Sequence, residues 1–119
     1  MNNIPTLDWE LSMRLAGNRL ETAKELLSLL LTSLPCEIKE IKKIYELKDY
    51  LDLRQKIHKL HGALCYCGVP RLKNIVVQVE AALKKNIIER LPILMTELEN
   101  EANLLLSTYQ HTETSASAV

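Results

Sequence analysis

Apolar residues recur every three or four positions along most of this chain, a spacing that predicts amphipathic helices rather than strands. Glycine, proline and capping residues interrupt the pattern and set the expected boundaries. The predicted helical segments are Asp8 to Ala16, Arg19 to about Leu34, a continuation from Ile38 to Glu46, Asp49 to about Cys67, Pro70 to Lys85, and Ile88 to Tyr109.

Turn residues support these boundaries. Thr6 or Asp8 can cap the first helix, Gly17 follows its end, and Pro70 takes the first position of a later helix after the turn at Gly68. Pro35 is expected to break its helix or to open the next one, since an internal proline removes a backbone hydrogen bond. The stripe before Pro35 is expected to be broad, with Leu20, Ala23, Leu27, Leu30 and Leu34 widened by Leu26, Leu29 and Leu31.

The short connections require neighbouring helices to run antiparallel. The predicted fold class is therefore all-α, an up-down antiparallel four-helix bundle with a short N-terminal capping helix. Residues 1–7 are expected to be a flexible leader and residues 8–110 the bundle. Residues 111–119 are expected to be a disordered tail, because they are rich in Ser, Thr and Ala and have no apolar period.

Composition excludes several classes of function. The 119 residues are enough for one domain, and 15 basic against 15 acidic residues leave no net charge to attract nucleic acid or a membrane surface. No apolar run approaches the roughly 18 residues of a membrane span, and the start has no secretory pattern. Of the three cysteines, Cys65 and Cys67 point in different directions on one helix, so we expect free thiols and a cytoplasmic setting.

His58 is the strongest candidate for chemistry. With Ile57 taken as the inward direction, His58 lies about 100° round the helix, on an exposed flank. Gly62 follows one turn later on the same side, where a glycine costs a helix about 1 kcal/mol relative to alanine. We interpret Gly62 as providing steric access, so that a large partner can reach the imidazole of His58.

The tight turn at Gly68 to Pro70 makes the flanking helices antiparallel, and residues at equal distance from Val69 then lie at the same height. This count brings Glu80 level with His58 and Lys84 within one turn of it. A carboxylate that accepts the Nδ1–H of an imidazole leaves Nε2 as a free nucleophile, and an ammonium can stabilise phosphoryl oxygens. Each of the two charges could equally be a solvated residue on the helix flank.

The same count predicts an exposed apolar residue, Val77, level with His61. Beside a nucleophile, an exposed valine is interpreted as part of a docking patch for a partner protein, together with Cys65. Basic residues are expected to rim this patch and to accelerate encounter with an acidic partner. These residues are Lys59, Lys73 and Lys84.

The run His58-Lys59-Leu60-His61-Gly62, with Gly68 six residues further on, resembles the His-x-Leu-Lys-Gly … Gly motif of histidine-containing phosphotransfer (HPt) domains. The segment Pro70-Arg71-Leu72 and Asp8-Trp9 near the start also fit, so the resemblance covers Asp8 to about Tyr109. The His-Lys-Leu-His-Gly variant is similar to the C-terminal HPt domains of BarA-type hybrid sensor kinases of bacteria.

The resemblance implies a phosphorelay function. His58 would be the phosphoacceptor, Glu80 would orient its imidazole, and Lys84 would lie near the phosphoryl group. His61 stands where most members of the family have lysine, so the resemblance implies only a weak role there. The implied partners are the receiver domain of a hybrid sensor kinase and a response regulator, with Mg²⁺ on the receiver and no cofactor on this domain. The isolated domain would be a monomer and a relay intermediate rather than an enzyme, tethered to the inner membrane only through a parent kinase.

Two other functions compete with phosphotransfer. His58, His61 and Cys65 share one helix face, as metal ligands can, but they would span about 10 Å, too far for one tetrahedral ion. No metal site is therefore predicted. A structural helical adaptor without chemistry is the third class, and it requires that His58→Ala leave every activity intact.

Overall fold

The computed structural model describes residues 4–117, with side chains described as far as Tyr109. Five α-helices occupy most of this range, and it contains no strand. They are α1 (Trp9–Leu15), α2 (Leu20–Glu46), α3 (Tyr50–Leu64), α4 (Pro70–Lys84) and α5 (Leu91–Ser117), the last preceded by a 3₁₀ turn at Ile88–Arg90.

Helices α2 to α5 form the predicted four-helix bundle. Each packs against the next along the chain, α2 also packs against α5, and the short α1 packs against α2. The inward stripes predicted for the last three helices are buried as expected, which confirms the all-α bundle. These stripes comprise Leu53, Ile57, Leu60 and Leu64 of α3; Leu72, Ile75, Val76, Val79 and Leu83 of α4; and Leu91, Leu94, Leu98, Ala102 and Leu105 of α5.

The prediction that Pro35 breaks a helix is wrong, because α2 continues through it. The apolar stripe does not stop at the proline: Leu34 and Ile41, on either side of it, are both fully buried. An internal proline costs a helix about 3 kcal/mol. Packing on both sides of Pro35 outweighs that cost, so tertiary burial, rather than local propensity, determines the length of α2.

Two leucines predicted for the stripe of α2 lie outside the core. Leu20 is exposed at the first position of the helix, and Leu29 is 70% exposed. Leu29 sits between the buried Leu27 and Leu31 in sequence, and the period of 3.6 residues turns its side chain outward there. The broad stripe is therefore narrower than expected, and α2 carries an apolar residue on its solvent face.

The ends of the chain differ from expectation in part. Helix α5 continues to Ser117, beyond the predicted end at Tyr109, so residues 111–117 are helical where a disordered tail was expected. No glycine or proline stands between Ile93 and Ser117, and Ser, Thr, Ala and Glu are tolerated in a helix. Residues 118–119 and the first three residues of the leader lie outside the described residues.

Helix α1 is fixed to the turn between α3 and α4. Asp8 caps α1, since its side chain accepts a hydrogen bond from the Leu11 backbone, and its own N–H donates to the Gly68 carbonyl at 2.8 Å. The Gly68 N–H donates to the hydroxyl of the buried Ser12 at 2.9 Å. A Cβ at Gly68 would overlap the Asp8 carbonyl and Ser12. Glycine is needed here for close approach, and the result holds the C-terminal end of the His58 helix in place.

Candidate functional site

His58 lies on the solvent-exposed flank of α3. Its side chain is 73% exposed, whereas its neighbours Ile57 and Leu60 are buried in the core. The helix is capped at its start by Asp49, whose side chain accepts from the Asp52 backbone N–H at 3.1 Å. A capped and well-packed helix thus presents an imidazole to solvent, as the sequence predicts.

Glu80 of α4 lies directly against this histidine. Its Oε2 is 2.6 Å from His58 Nδ1, and the residue is only 5% exposed. The alternative of a solvated flank charge is therefore excluded for Glu80. A buried carboxylate requires hydrogen-bond partners, and the imidazole of His58 is one of them.

The second partner of Glu80 is His61. Its Nδ1 lies 2.8 Å from Glu80 Oε1, so one carboxylate joins two histidines that stand three positions apart on α3. An ionised carboxylate only accepts hydrogen bonds, so both imidazoles must carry their proton on Nδ1. In the neutral form of His58, Nε2 then bears the lone pair on the side of the ring that does not face Glu80, and this is the form that can act as a nucleophile.

Several groups act on the charge of Glu80. Burial alone would raise the pKa of its carboxyl, but the hydrogen bonds from His58 and His61 and the charge of Lys84 outweigh burial and lower that pKa. Lys84 stands one turn later on α4, with Nζ 3.7 Å from Glu80 Oε2, and its side chain is about half exposed. The carboxylate is therefore ionised near neutral pH, and the ammonium lies on the His58 side of it.

A shallow groove adjoins His58 between α3 and α4. Besides the predicted His58, Glu80 and Lys84, it is lined by Leu51, Arg54 and Gln55. These three residues were not predicted from the sequence to belong to the site. Arg54 precedes His58 by four positions, and this spacing, which places two side chains on one helix face, was the signal that could have identified it.

Gly62 faces open space. A Cβ built there would have no neighbouring atom within 4 Å, so no packing constraint inside the domain requires a glycine. This agrees with the interpretation that the glycine keeps the approach to His58 clear, and it contrasts with Gly68, where neighbouring atoms leave no room for a side chain.

The residues of the predicted docking patch line more than one groove. Val77 is 40% exposed and shares a groove with Cys65, Lys73 and Leu15 of α1. Lys84 lines the His58 groove instead.

Lys59 lies in a third groove, between α2 and α3, with the exposed Leu29 and Tyr66. It follows His58 by about 100° round the helix, which turns it away from α4. Lys59 therefore does not border Val77, whereas Lys73 lines the same groove as Val77.

Within the described residues, no group of three or more His, Cys, Asp or Glu side chains could hold a metal ion. His58 and His61 both direct Nδ1 to Glu80 rather than to a common open point. All three cysteines are free thiols, with Cys36 and Cys65 exposed and Cys67 buried. Across residues 4–117, no helix has both the length and the apolar character that crossing a membrane requires.

Comparisons with known proteins agree with this geometry. Residues 25–108 match the model of the Hpt domain family. The sensor protein GacS of Pseudomonas syringae pv. syringae is 39% identical over 80 residues, which cover 67% of this chain and 9% of that protein. The signal transduction histidine-protein kinase BarA of Escherichia coli K12 is 34% identical over 107 residues, covering 86% of this chain and 12% of that protein. The chain thus spans about a tenth of the length of these curated relatives.

A solved structure matches over nearly the whole chain. It is the crystal structure of the HPT domain from a sensor hybrid histidine kinase of Shewanella, with a TM-score of 0.84 and 34% identity. The match covers 92% of this chain and 95% of that one. The chain therefore belongs to the family of histidine-containing phosphotransfer (Hpt) domains, whose function is histidine phosphotransfer in two-component phosphorelays.

Proposed function

We propose that His58 accepts a phosphoryl group from the aspartyl phosphate of a receiver domain and passes it to the aspartate of a response regulator. The single observation that carries this proposal is the 2.6 Å contact between His58 Nδ1 and the buried Glu80, on a side chain that is otherwise exposed. In the neutral imidazole this contact favours the tautomer with its proton on Nδ1, so that Nε2 carries the lone pair and faces a partner, as an in-line nucleophile requires.

The phosphoryl transfer to His58 needs no general base. Nε2 forms a bond to phosphorus while the bond from phosphorus to the aspartate oxygen breaks, and the aspartate leaves as a carboxylate. The Nδ1 proton remains in its hydrogen bond to Glu80, so no proton has to leave the imidazole. Delivery to the response regulator is the same reaction in reverse, with a second carboxylate as the nucleophile.

Two cationic side chains in the His58 groove can stabilise the negative charge of the phosphoryl group. Lys84 is the predicted residue for stabilising the phosphoryl oxygens, and Arg54 lines the same groove. Among the described residues, Arg54 has no ion-pair partner, so its guanidinium is available to an incoming anion. Fixed cations beside a transferring phosphoryl group stabilise its charge without reorganisation. Mg²⁺ is assigned to the receiver domain, and this domain is proposed to need no cofactor.

The apolar groove of Val77, Cys65, Lys73 and Leu15 is the proposed docking surface for the receiver domain. Val77 and Leu15 are each 40% exposed, and Lys73 adds a positive charge that suits an acidic partner. The groove adjoins the α3 face that carries His58, since Cys65 lies seven positions, or about two turns, after it. Lys59 belongs to the opposite groove with Leu29, which is the competing surface for docking.

The relatives suggest the setting. They are sensor proteins and histidine kinases, and this chain corresponds to about a tenth of their length. We place the domain in the cytoplasm as a monomeric relay intermediate rather than an enzyme that turns over. A parent hybrid kinase would tether it to the inner membrane and supply one receiver domain, and a separate response regulator would be the second partner.

Incubation of the chain with a phosphorylated receiver domain, followed by detection of acid-labile label, tests the proposal. The wild type should acquire label, and His58→Gln should not, while its circular dichroism stays helical because the His58 side chain is 73% exposed. His61→Ala is the second histidine variant and should still acquire measurable label, at whatever rate, because His58 remains. Label on the His58→Gln variant, or label that follows His61, would overturn the assignment of His58.

A further inference from the structure

The exposed imidazole of His58 is held in place through Glu80. Its side chain is 73% exposed, and its only hydrogen bond among the described residues is the one that Nδ1 makes with Glu80. The direction in which Nε2 points therefore depends on the position of the Glu80 carboxylate. Whatever fixes that carboxylate also fixes the nucleophile.

A carboxylate held by one hydrogen bond is not fully fixed. The terminal torsion of a glutamate side chain is broad, so the plane of the group can turn about a single bond. Lys84 does not prevent this, because its Nζ approaches the same oxygen, Oε2, from 3.7 Å. Within the part of the chain that the structure describes, the second oxygen, Oε1, has His61 as its one hydrogen-bond partner, at 2.8 Å.

We infer that His61 is a positioning residue for phosphotransfer, acting on His58 through Glu80. The Nδ1–H of His61 fixes Oε1, which sets the plane of the carboxylate and so the direction of the Oε2 lone pair that receives His58 Nδ1–H. Its side chain is only 29% exposed, as suits a group that orients another rather than one that meets a partner. This inference rests on the proposed function of His58.

His61 bonds Glu80 through a single donor atom, Nδ1, which a substitution can keep or remove. The amide nitrogen of asparagine can occupy the place of imidazole Nδ1, whereas leucine has a similar size and no donor. His61→Asn and His61→Leu therefore form a matched pair that differs in the hydrogen bond to Oε1. The pair separates a positioning role from a simple packing role at this site.

Two measurements on both variants test the inference. The first is the tautomer of His58 from ¹⁵N NMR of the imidazoles, assigned with His58→Gln. The second is the rate of labelling by a phosphorylated receiver domain. We expect the Nδ1–H tautomer and near wild-type labelling in His61→Asn. In His61→Leu we expect mixed tautomers and labelling slowed about three- to tenfold, the range of one lost hydrogen bond.

The outcomes are distinct. If His61→Leu keeps the wild-type tautomer and rate, His61 does not position His58, and the inference is overturned. If His61→Asn behaves like His61→Leu, the hydrogen bond to Oε1 is not the cause, and the inference is also overturned. Absence of label from the wild type would instead contradict the proposed function, and the NMR tautomers would still report whether His61 acts on His58 through Glu80.

Discussion

The Ser12 hydroxyl accepts a hydrogen bond from the Gly68 N–H at 2.9 Å, and this contact joins α1 to the turn between α3 and α4. Both residues are buried, and the space between them leaves no room for a Cβ at Gly68. The glycine of the motif that is more distant from His58 therefore has a structural task, while Gly62 beside His58 borders open space.

Gly68→Ala should lower the free energy of unfolding by about 1–3 kcal/mol, because the added methyl group forces α1 away from the turn. Gly62→Ala is the matched control and should be neutral or stabilising by up to about 1 kcal/mol, since alanine is the better helix former. Urea unfolding followed by circular dichroism measures both. Equal effects of the two substitutions would show that the close approach at Gly68 is not a constraint.

Gly62→Gln should block transfer without unfolding the domain. A Cβ at this position would have no neighbouring atom within 4 Å, so the glutamine side chain is expected to extend into the open space on the His58 side and to obstruct a receiver domain. Labelling by a phosphorylated receiver and thermal unfolding should be compared for Gly62→Ala and Gly62→Gln. Full labelling of the glutamine variant would contradict the access role of this glycine.

Val77→Glu should weaken binding of a receiver domain severalfold or more, because it places a charge in the proposed apolar docking groove. Leu29→Glu is the matched variant on the opposite groove, where an exposed leucine adjoins Lys59. Surface plasmon resonance with both variants distinguishes the two surfaces. Weak binding of the Leu29 variant together with normal binding of the Val77 variant would move the docking surface to α2 and α3.

Cys67 should resist alkylation in the folded protein. Burial raises the pKa of its thiol, whereas Cys36 and Cys65 are exposed. Mass spectrometry after brief treatment with iodoacetamide near neutral pH should find two of the three cysteines modified. All three should react in denaturant, which serves as the control. Rapid modification of Cys67 in the folded state would indicate that the turn after α3 opens readily.

The ionised form of Glu80 should contribute to stability in a pH-dependent way. Its pKa in the folded protein is lowered from 4.5, so its contribution is present above that pH and is lost as the pH falls through the folded-state value. The difference in free energy of unfolding between wild type and Glu80→Gln should therefore move against the wild type between about pH 5 and about pH 3. Urea unfolding at these two values measures it, and an unchanged difference would contradict the lowered pKa.

The sequence predicts most of this site because, in a regular helix, the number of residues between two positions fixes the angle between their side chains. Counting across the tight turn at Gly68 was enough to bring Glu80 to His58, and the exposed Val77 followed from the same count. The bond from His61 to Glu80 was not predicted, since it depends on side-chain rotamers and on how deeply α4 is buried. The continuity of α2 through Pro35 was missed because packing between helices outweighed a local cost.

The nucleophile and the group that aims it belong to different helices, His58 to α3 and Glu80 to α4. A bond of 2.6 Å does not survive a displacement of about 1 Å, because hydrogen bonds weaken steeply outside their normal range. The direction of His58 Nε2 thus depends on the packing of many core residues between α3 and α4. Core mutations that let α3 and α4 shift would abolish phosphotransfer in a domain that still unfolds cooperatively. Loss of relay activity would therefore be an earlier sign of core damage than loss of structure.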